Sequence, residues 1–426
     1  MSGAQSRRAA AELLMTVLDE RRTLDEAMAS TESYDALNGA DRGFARAMAS
    51  AALRHLGQID EGLAPFLDRP LETATPPSRA LLRIGAAQAW LLETPDHAVV
   101  GETVAAAKIW PRAQRATGFL NAVLRKVVSD LSAFDAAPVS HNWPTWLRTM
   151  AIQGLGAKAA EALVRVQTET PDTYLTPKDL NPSDLATRIE GDVVASYSVR
   201  TPGTAIEQLP GFEEGDWWVQ DVAATLPARL LKVQDTERVL DVCAAPGGKT
   251  MQLAATGAQV TAIDRSKPRL KRLKQNLWRT GFHGKLETVL GDAIEWQPSA
   301  RFAKILLDAP CSALGTLRRN PEGAWIKSEA DVARFPDIQE RLLRACIDNA
   351  KPGARIMYCA CSPFPHEGVE IVERVLSDTA LTRVAVTEAE VPGFESSVTA
   401  KGDLLTLPNG VFKHDAFYIA RLKRDS

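Results

Sequence analysis

The chain has 426 residues, 45% of them hydrophobic and 24% charged, and a formal net charge of −3 at neutral pH. Such a length holds two or three domains with a substantial core, and the composition excludes a disordered or fibrous chain. A balance this close to neutral excludes a generally basic protein, so a nucleic-acid partner has to meet a local basic surface. The start, Met1 to Arg8, leads into a charged helical pattern without an apolar signal core. No run reaches the ~18 apolar residues that a membrane span needs. The five cysteines (243, 311, 346, 359 and 361) are an odd number in a long chain, which predicts reduced thiols and a cytoplasmic setting. The six histidines are scattered and no Cys-x-x-Cys occurs, so no metal site is expected.

In chain order, residues 1–130 read as helix throughout. Ala10, Leu13, Leu14, Val17 and Leu18 follow a helical stripe. Asp41 is a candidate cap for a helix burying Phe44, Ala47, Met48 and Ala51. A third pattern runs through Leu81, Leu82, Ile84, Ala87, Trp90 and Leu91 and stops at Pro95, and segments 99–109 and 119–128 complete an all-α bundle. Residues 131–230 are broken by prolines into a small bridging region of mixed structure, with one helix near 158–167. From 231 to 426 strands and helices alternate, with strands expected at 238–242, 259–263, 286–290, 304–308, 354–358 and 416–421. Helices at 266–279 and 338–350 make this an α/β region with a parallel, doubly wound sheet.

The first strand of that region runs into Cys243-Ala244-Ala245-Pro246-Gly247-Gly248-Lys249 and then a helix, a place where backbone N–H groups can cradle a polar ligand. The loop is neither a phosphate-binding P-loop nor a Gly-x-Gly-x-x-Gly fingerprint. Taken alone, a Gly-Gly pair is equally a tight turn. Asp241, Asp264 and Asp292 stand at the ends of three successive strands. An acid at the second of these commonly accepts from a ribose, and Asp292 is placed to accept from an adenine amino group. Each acid alone is an ordinary helix cap. As a series they fit a nucleoside ligand without phosphates, and S-adenosylmethionine, with its sulfonium cation, is such a ligand.

Two further strand ends carry thiols, Cys311 in Asp308-Ala309-Pro310-Cys311-Ser312 and Cys361 in Tyr358-Cys359-Ala360-Cys361-Ser362. In an open α/β sheet the carboxyl ends of the strands form the ligand crevice, so a glycine loop and two thiols would meet there. Such a meeting suits a cofactor working with a covalent nucleophile. The competing readings are inert core thiols, which Cys243, Cys346 and Cys359 are taken to be, and a Cys311–Cys361 disulfide, which a reducing compartment disfavours.

The segment Asp308 to Pro321, with the glycine loop and the second cysteine, resembles the RNA 5-methylcytosine methyltransferase family from Gly215 to the chain end. Asp403 to Pro408 and His414 to Ala420 look like that family's final hairpin. Glu102 to Lys108 and Gly118 to Arg125 resemble the RNA-binding fold of the antitermination factor NusB, and His141 to Leu147 looks like the junction in bacterial RsmB-type enzymes, which act on small-subunit (16S) ribosomal RNA. The resemblance implies a Rossmann-like class I methyltransferase sheet behind a NusB-like bundle, and S-adenosylmethionine held by residues 243–249, Asp264, Arg269, Asp292 and Asp308. It implies that Cys361 attacks C6 of cytosine, that Cys311 assists release and that Asp308 holds the cytosine edge. The partner implied is RNA, with the target base unpaired or flipped out. Arg318, Arg319 and Lys327 beside the loop are candidate phosphate contacts, with a solvated charged face the equal alternative for each, and a monomer is expected.

The chain departs from the family pattern at Ala360, where threonine is usual, at Gly368, where asparagine is common, and at Tyr174 to Lys178. The rival readings are a tRNA cytosine methyltransferase and a non-catalytic RNA-binding assembly factor. A DNA cytosine methyltransferase needs no second cysteine and is disfavoured.

Overall fold

The computed structural model describes residues 3–179, 181–202, 205–408 and 412–425. It divides into two units, Met1–Thr170 with Leu317–Glu329, and Pro171–Thr316 with Ala330–Ser426.

Among the described residues the first unit contains helices and turns and no strand. Its long helices are Gly3–Glu20, Gly39–Arg54, Pro76–Leu91, Asp96–Lys108 and Thr117–Ser129. Alanine sets how closely they pack: Ala9, Ala10, Ala49, Ala52, Ala86, Ala87, Ala106 and Ala107 are fully buried among Leu13, Leu14, Met48, Leu81 and Leu124. The expected stripe on the first helix is buried except for Leu18, which is half-buried. Asp41 does not cap its helix. The helix begins at Gly39 behind Asn38, and Asp41 lies in the first turn, where its carboxylate accepts from Ser6 Oγ at 3.2 Å and suits the positive end of the helix dipole. The buried face correspondingly uses Ala45 and Ala49, and Ala47 is exposed.

Residues 317–329 belong to this helical unit although they sit far along the sequence. Trp325 Nε1 donates to the Leu53 carbonyl at 3.0 Å, Arg54 Nη2 to the Arg318 carbonyl at 3.0 Å, and Arg21 Nε to the Ile326 carbonyl at 2.9 Å. The Leu24 N–H donates to Glu322 Oε1 at 3.3 Å. Burial pushes the Glu322 carboxyl up and the Arg54 guanidinium down to about 10. The expectation that Arg318 meets phosphate is corrected here. Its side chain is 1% exposed, inside this packing. Arg319 and Lys327 are half-buried.

The second unit opens with a small antiparallel sheet of β1 (Thr173–Pro177), β2 (Asp192–Val194), β3 (Ser198–Thr201) and β4 (Trp217–Val219), in the order β2-β3-β1-β4. The helices Thr145–Leu155 and Ala157–Gln167 of the expected bridging region lie instead in the helical unit. The larger sheet consists of β5 (Arg238–Val242), β6 (Gln259–Asp264), β7 (Glu287–Leu290), β8 (Phe302–Asp308), β9 (Ala350–Ala360), β10 (Leu381–Arg383), β11 (Leu404–Thr406) and β12 (Phe417–Arg424). Its order is β10-β12-β9-β8-β5-β6-β7, with β11 on β12. Strands β5 to β9 pair in parallel and β12 runs antiparallel to β9, so the sheet is mixed at that edge rather than parallel throughout. The central strands read as continuous apolar runs because both faces are covered: Val239, Leu240, Ile263, Ile305, Leu306, Leu307, Ile356 and Met357 are all buried. The hairpin expected near the chain end forms, Leu404 to Thr406 pairing with Ile419 to Phe417. Strand order reverses between β5 and β8, which opens a crevice outside the carboxyl ends of those strands. No helix among the described residues is long and apolar enough to cross a membrane.

Candidate active site

Strand β5 delivers the glycine loop. Gly247 has φ +108°, a left-handed backbone that favours glycine, and a Cβ there would lie 2.7 Å from Leu273 Cδ1 on the helix Lys267–Arg279. The Ala245–Pro246 peptide is cis. Asp264, at the end of β6, is 3% exposed and shapes the loop: its oxygens accept from Ala245 N–H at 3.1 Å and Ser266 N–H at 2.8 Å. Arg269 lies 3.6 Å from Asp264 and donates to the Ala245 carbonyl, and Asn276 donates to the Pro246 carbonyl at 2.8 Å. Asp292 is exposed and accepts from Ile294 N–H at 2.9 Å, capping the turn after β7.

Beneath the loop Asp241 is fully buried. One oxygen accepts from Thr250 Oγ1 at 2.6 Å and the other, Oδ1, has no hydrogen-bond partner. Burial, only partly offset by Thr250, pushes its carboxyl up to about 7. A buried acceptor left open, a glycine loop and acids at three strand ends fit a cationic ligand bearing a nucleoside. Burial pushes the Cys243 thiol up to about 12, so this residue contributes backbone and packing rather than a thiolate.

Lys249 stands apart from the rest of the loop. Its ammonium is buried, 2.8 Å from Asp308 Oδ2, and Asp308 keeps it charged against the opposing effect of burial. The other oxygen of Asp308 accepts from Cys359 Sγ at 3.4 Å. Burial raises both Cys359 and Cys346, consistent with inert thiols.

Cys311 follows β8 and Cys361 follows β9, the neighbouring strand. Their sulfurs lie 3.1 Å apart as free thiols. Cys311 is held well above the ordinary thiol range, first by its hydrogen bond with Cys361 and then by burial.

The geometry of the pair comes from residues that the sequence did not single out. Glu367 is fully buried; Oε1 accepts from Ser312 N–H at 2.6 Å, and Oε2 accepts from Ser312 Oγ and Ser362 Oγ, each at 2.5 Å. One carboxylate thus ties together the residues that follow the two cysteines. Tyr358 Oη donates to the Glu367 carbonyl at 2.7 Å, and Gln339 Nε2 to the Pro310 carbonyl at 3.0 Å. Gly315 closes the loops: its N–H donates to the Cys361 carbonyl, and a Cβ there would sit 2.0 Å from the Ala416 carbonyl oxygen. The Ser-after-Cys repetition was the available signal for this node. Gly368, a departure from the family pattern, also has a steric reason, since a Cβ would lie 2.7 Å from Cγ of Tyr418.

A Rossmann-like sheet with a glycine loop at the strand-order reversal and a half-buried thiol pair beside it defines an S-adenosylmethionine-dependent methyltransferase. The model of the 16S rRNA methyltransferase RsmB/F family matches residues 228–423, and that of the NusB family matches residues 4–129. The chain is 31% identical over 408 residues to ribosomal RNA small subunit methyltransferase B of Vibrio vulnificus, covering 91% of this chain and 94% of the relative. It is 34% identical over 397 residues to the protein of the same name from Xanthomonas campestris, covering 89% of each. The solved structure of PH0851 is similar in fold, with a TM-score of 0.76 at 22% identity over 99% of both chains. A methyltransferase homolog protein from Pyrococcus horikoshii aligns over 65% of this chain and 93% of its own, with a TM-score of 0.55 at 23% identity. The chain belongs to the RsmB/F family of 16S rRNA methyltransferases. It is an RNA methyltransferase, and its cofactor is S-adenosylmethionine.

Proposed function

We propose that the chain methylates C5 of one cytosine in small-subunit (16S) ribosomal RNA, in the cytoplasm, through a covalent adduct on Cys361. The observation that carries this reading is the pair of sulfurs 3.1 Å apart at the ends of neighbouring strands, beside Asp308. Cytosine C5 is a weak nucleophile. Addition of the Cys361 thiolate to C6 moves the C5=C6 electron pair to C5, dividing one hard step into two easier ones. When bound, S-adenosylmethionine supplies the methyl group as a cation equivalent and departs as a neutral thioether. Cys311, after losing its own proton to solvent, takes the C5 proton as thiolate; the C5–H pair re-forms C5=C6 and the C6–S bond breaks, returning Cys361 as thiolate. The raised pKa of Cys311 supports this order. Its leading cause is the hydrogen bond with Cys361, which is lost once that sulfur is bonded to carbon, so Cys311 then gives up its proton more readily and is available as thiolate.

Asp308, oriented by the Lys249 ammonium 2.8 Å from its Oδ2, holds the cytosine edge. Residues 243–248 approach the cofactor through backbone. Asp241 Oδ1 accepts from its cationic amino acid portion, and Asp264, Arg269 and Asp292 border the nucleoside. Methyl transfer from labelled S-adenosylmethionine to small-subunit rRNA and, separately, to bulk tRNA, with bisulfite mapping, tests the reading. Label at a single rRNA cytosine is expected; label confined to tRNA overturns the substrate, and methylation away from C5 overturns the mechanism.

A further inference from the structure

The helix Lys267–Arg279 contains six Lys or Arg residues and no acid. Its apolar face is Leu270, Leu273 and Leu277, all buried. Lys267, Lys271, Lys274 and Trp278 recur at the same helical spacing on a second stripe, and all four are exposed. Among the described residues none of Lys267, Lys271, Arg272 and Lys274 has a carboxylate within the 4.0 Å of an ion pair. Trp278 is 69% exposed, and its ring lies tilted by 32° against that of His283 with centroids 4.3 Å apart.

A merely solvated helix face mixes its charges, as Phe335–Asp348 does, where Arg344 pairs with Glu340 at 2.8 Å four residues away. Like charges three and four residues apart cost stability, and a tryptophan left 69% exposed, touching only one further ring, returns little of its apolar area. The fold gains little from either feature, so a partner is the physical reason for both.

We infer that this stripe docks the single-stranded RNA that carries the target base, the lysines taking phosphates and Trp278 stacking a base. Regularly spaced cations ending in an aromatic platform match the chemistry of a single strand. An acidic protein would use the cations but has no base to lay on the ring. The stripe starts three residues past Asp264, at the crevice end of the sheet, and runs about 17 Å along the helix at about 1.5 Å per residue. The inference rests on the RNA-modifying reading above.

The test compares full-length wild type with the double variant Lys271→Glu/Lys274→Glu and with Trp278→Ala. Binding to transcribed 16S rRNA is measured across ~50 to ~200 mM salt, with S-adenosylmethionine affinity as the control for folding. The double variant is expected to weaken RNA binding at least tenfold and to flatten the salt slope by about 1.4, near 0.7 per phosphate on a single strand. Trp278→Ala is expected to lose roughly fivefold to a hundredfold at every salt concentration, with the slope unchanged. Unchanged RNA affinity in both variants, with cofactor binding intact, overturns the surface. So does the loss of a protein partner without a change in RNA affinity. If wild type itself binds no RNA, the RNA-modifying reading fails before the surface is tested.

Discussion

Two buried glutamates separate the two units. In the helical unit Glu322 receives one backbone N–H at 3.3 Å and leaves Oε2 without a partner, and burial raises its carboxyl. In the second unit Glu367 receives three donors at 2.5 to 2.6 Å. The first helps to seat a segment that is mainly packed, by Trp325 and Ile326, onto helices. The second fixes two reactive loops whose value depends on a distance between sulfurs. Apolar packing tolerates a half-satisfied acid, whereas a fully connected polar node specifies one geometry.

That contrast is broken most severely at Glu367. Replacement by Ala removes every acceptor that Ser312 and Ser362 share, leaving a buried backbone N–H and two hydroxyls without it. Methyl transfer should fall about a hundredfold, the scale of a small misplacement of reacting groups, while calorimetry gives an unchanged S-adenosylmethionine affinity. An equal loss in both would mean that Glu367 supports the whole fold.

Next in size is Trp325→Ala, which removes the anchor on Leu53. A loss of roughly 3 kcal/mol should appear in denaturant unfolding, in the transition assigned to the helical unit. An unchanged transition would show that residues 317–329 contribute little to that unit.

A smaller effect sharpens the electrostatic side. Asp241 has its folded pKa raised from the ordinary 3.8 to about 7. Its favourable contribution is therefore complete below about pH 4 and is lost as pH rises to about 7. The cofactor-free wild type should lose stability relative to Asp241→Asn across that window, by up to a few kcal/mol at roughly 1.4 per unit. A parallel pH dependence in the two proteins would contradict the buried, partly unpaired carboxyl.

Much of this was legible in the sequence because it is local. The strands ending at Val242, Asp264 and Asp308 are mostly apolar runs, and the glycine loop and both cysteines follow such runs directly. The helical stripes were readable in kind but less so at their ends, as Asp41 shows: a good capping residue stood two positions inside a helix capped by Asn38. The small sheet was hidden because strands of three to five residues carry too little alternation to stand out among prolines. The packing of residues 317–329 was not readable at all. Trp325 and Leu53 are 272 positions apart, and Arg318 beside a cysteine loop looks like a phosphate contact until its burial is seen. Glu367 was missed for a related reason, since its partners Ser312 and Ser362 lie on different strand ends.

The division of labour between the two thiols is tested most directly by trapping RNA on single variants. Incubated with small-subunit rRNA and labelled S-adenosylmethionine, Cys311→Ser should accumulate a denaturation-resistant RNA–protein adduct carrying the label, because addition and methylation proceed and release fails. Cys361→Ser should give neither adduct nor methylated RNA. An active Cys361→Ser enzyme, or a Cys311→Ser enzyme that releases product at the wild-type rate, would contradict the assignment of nucleophile and release residue.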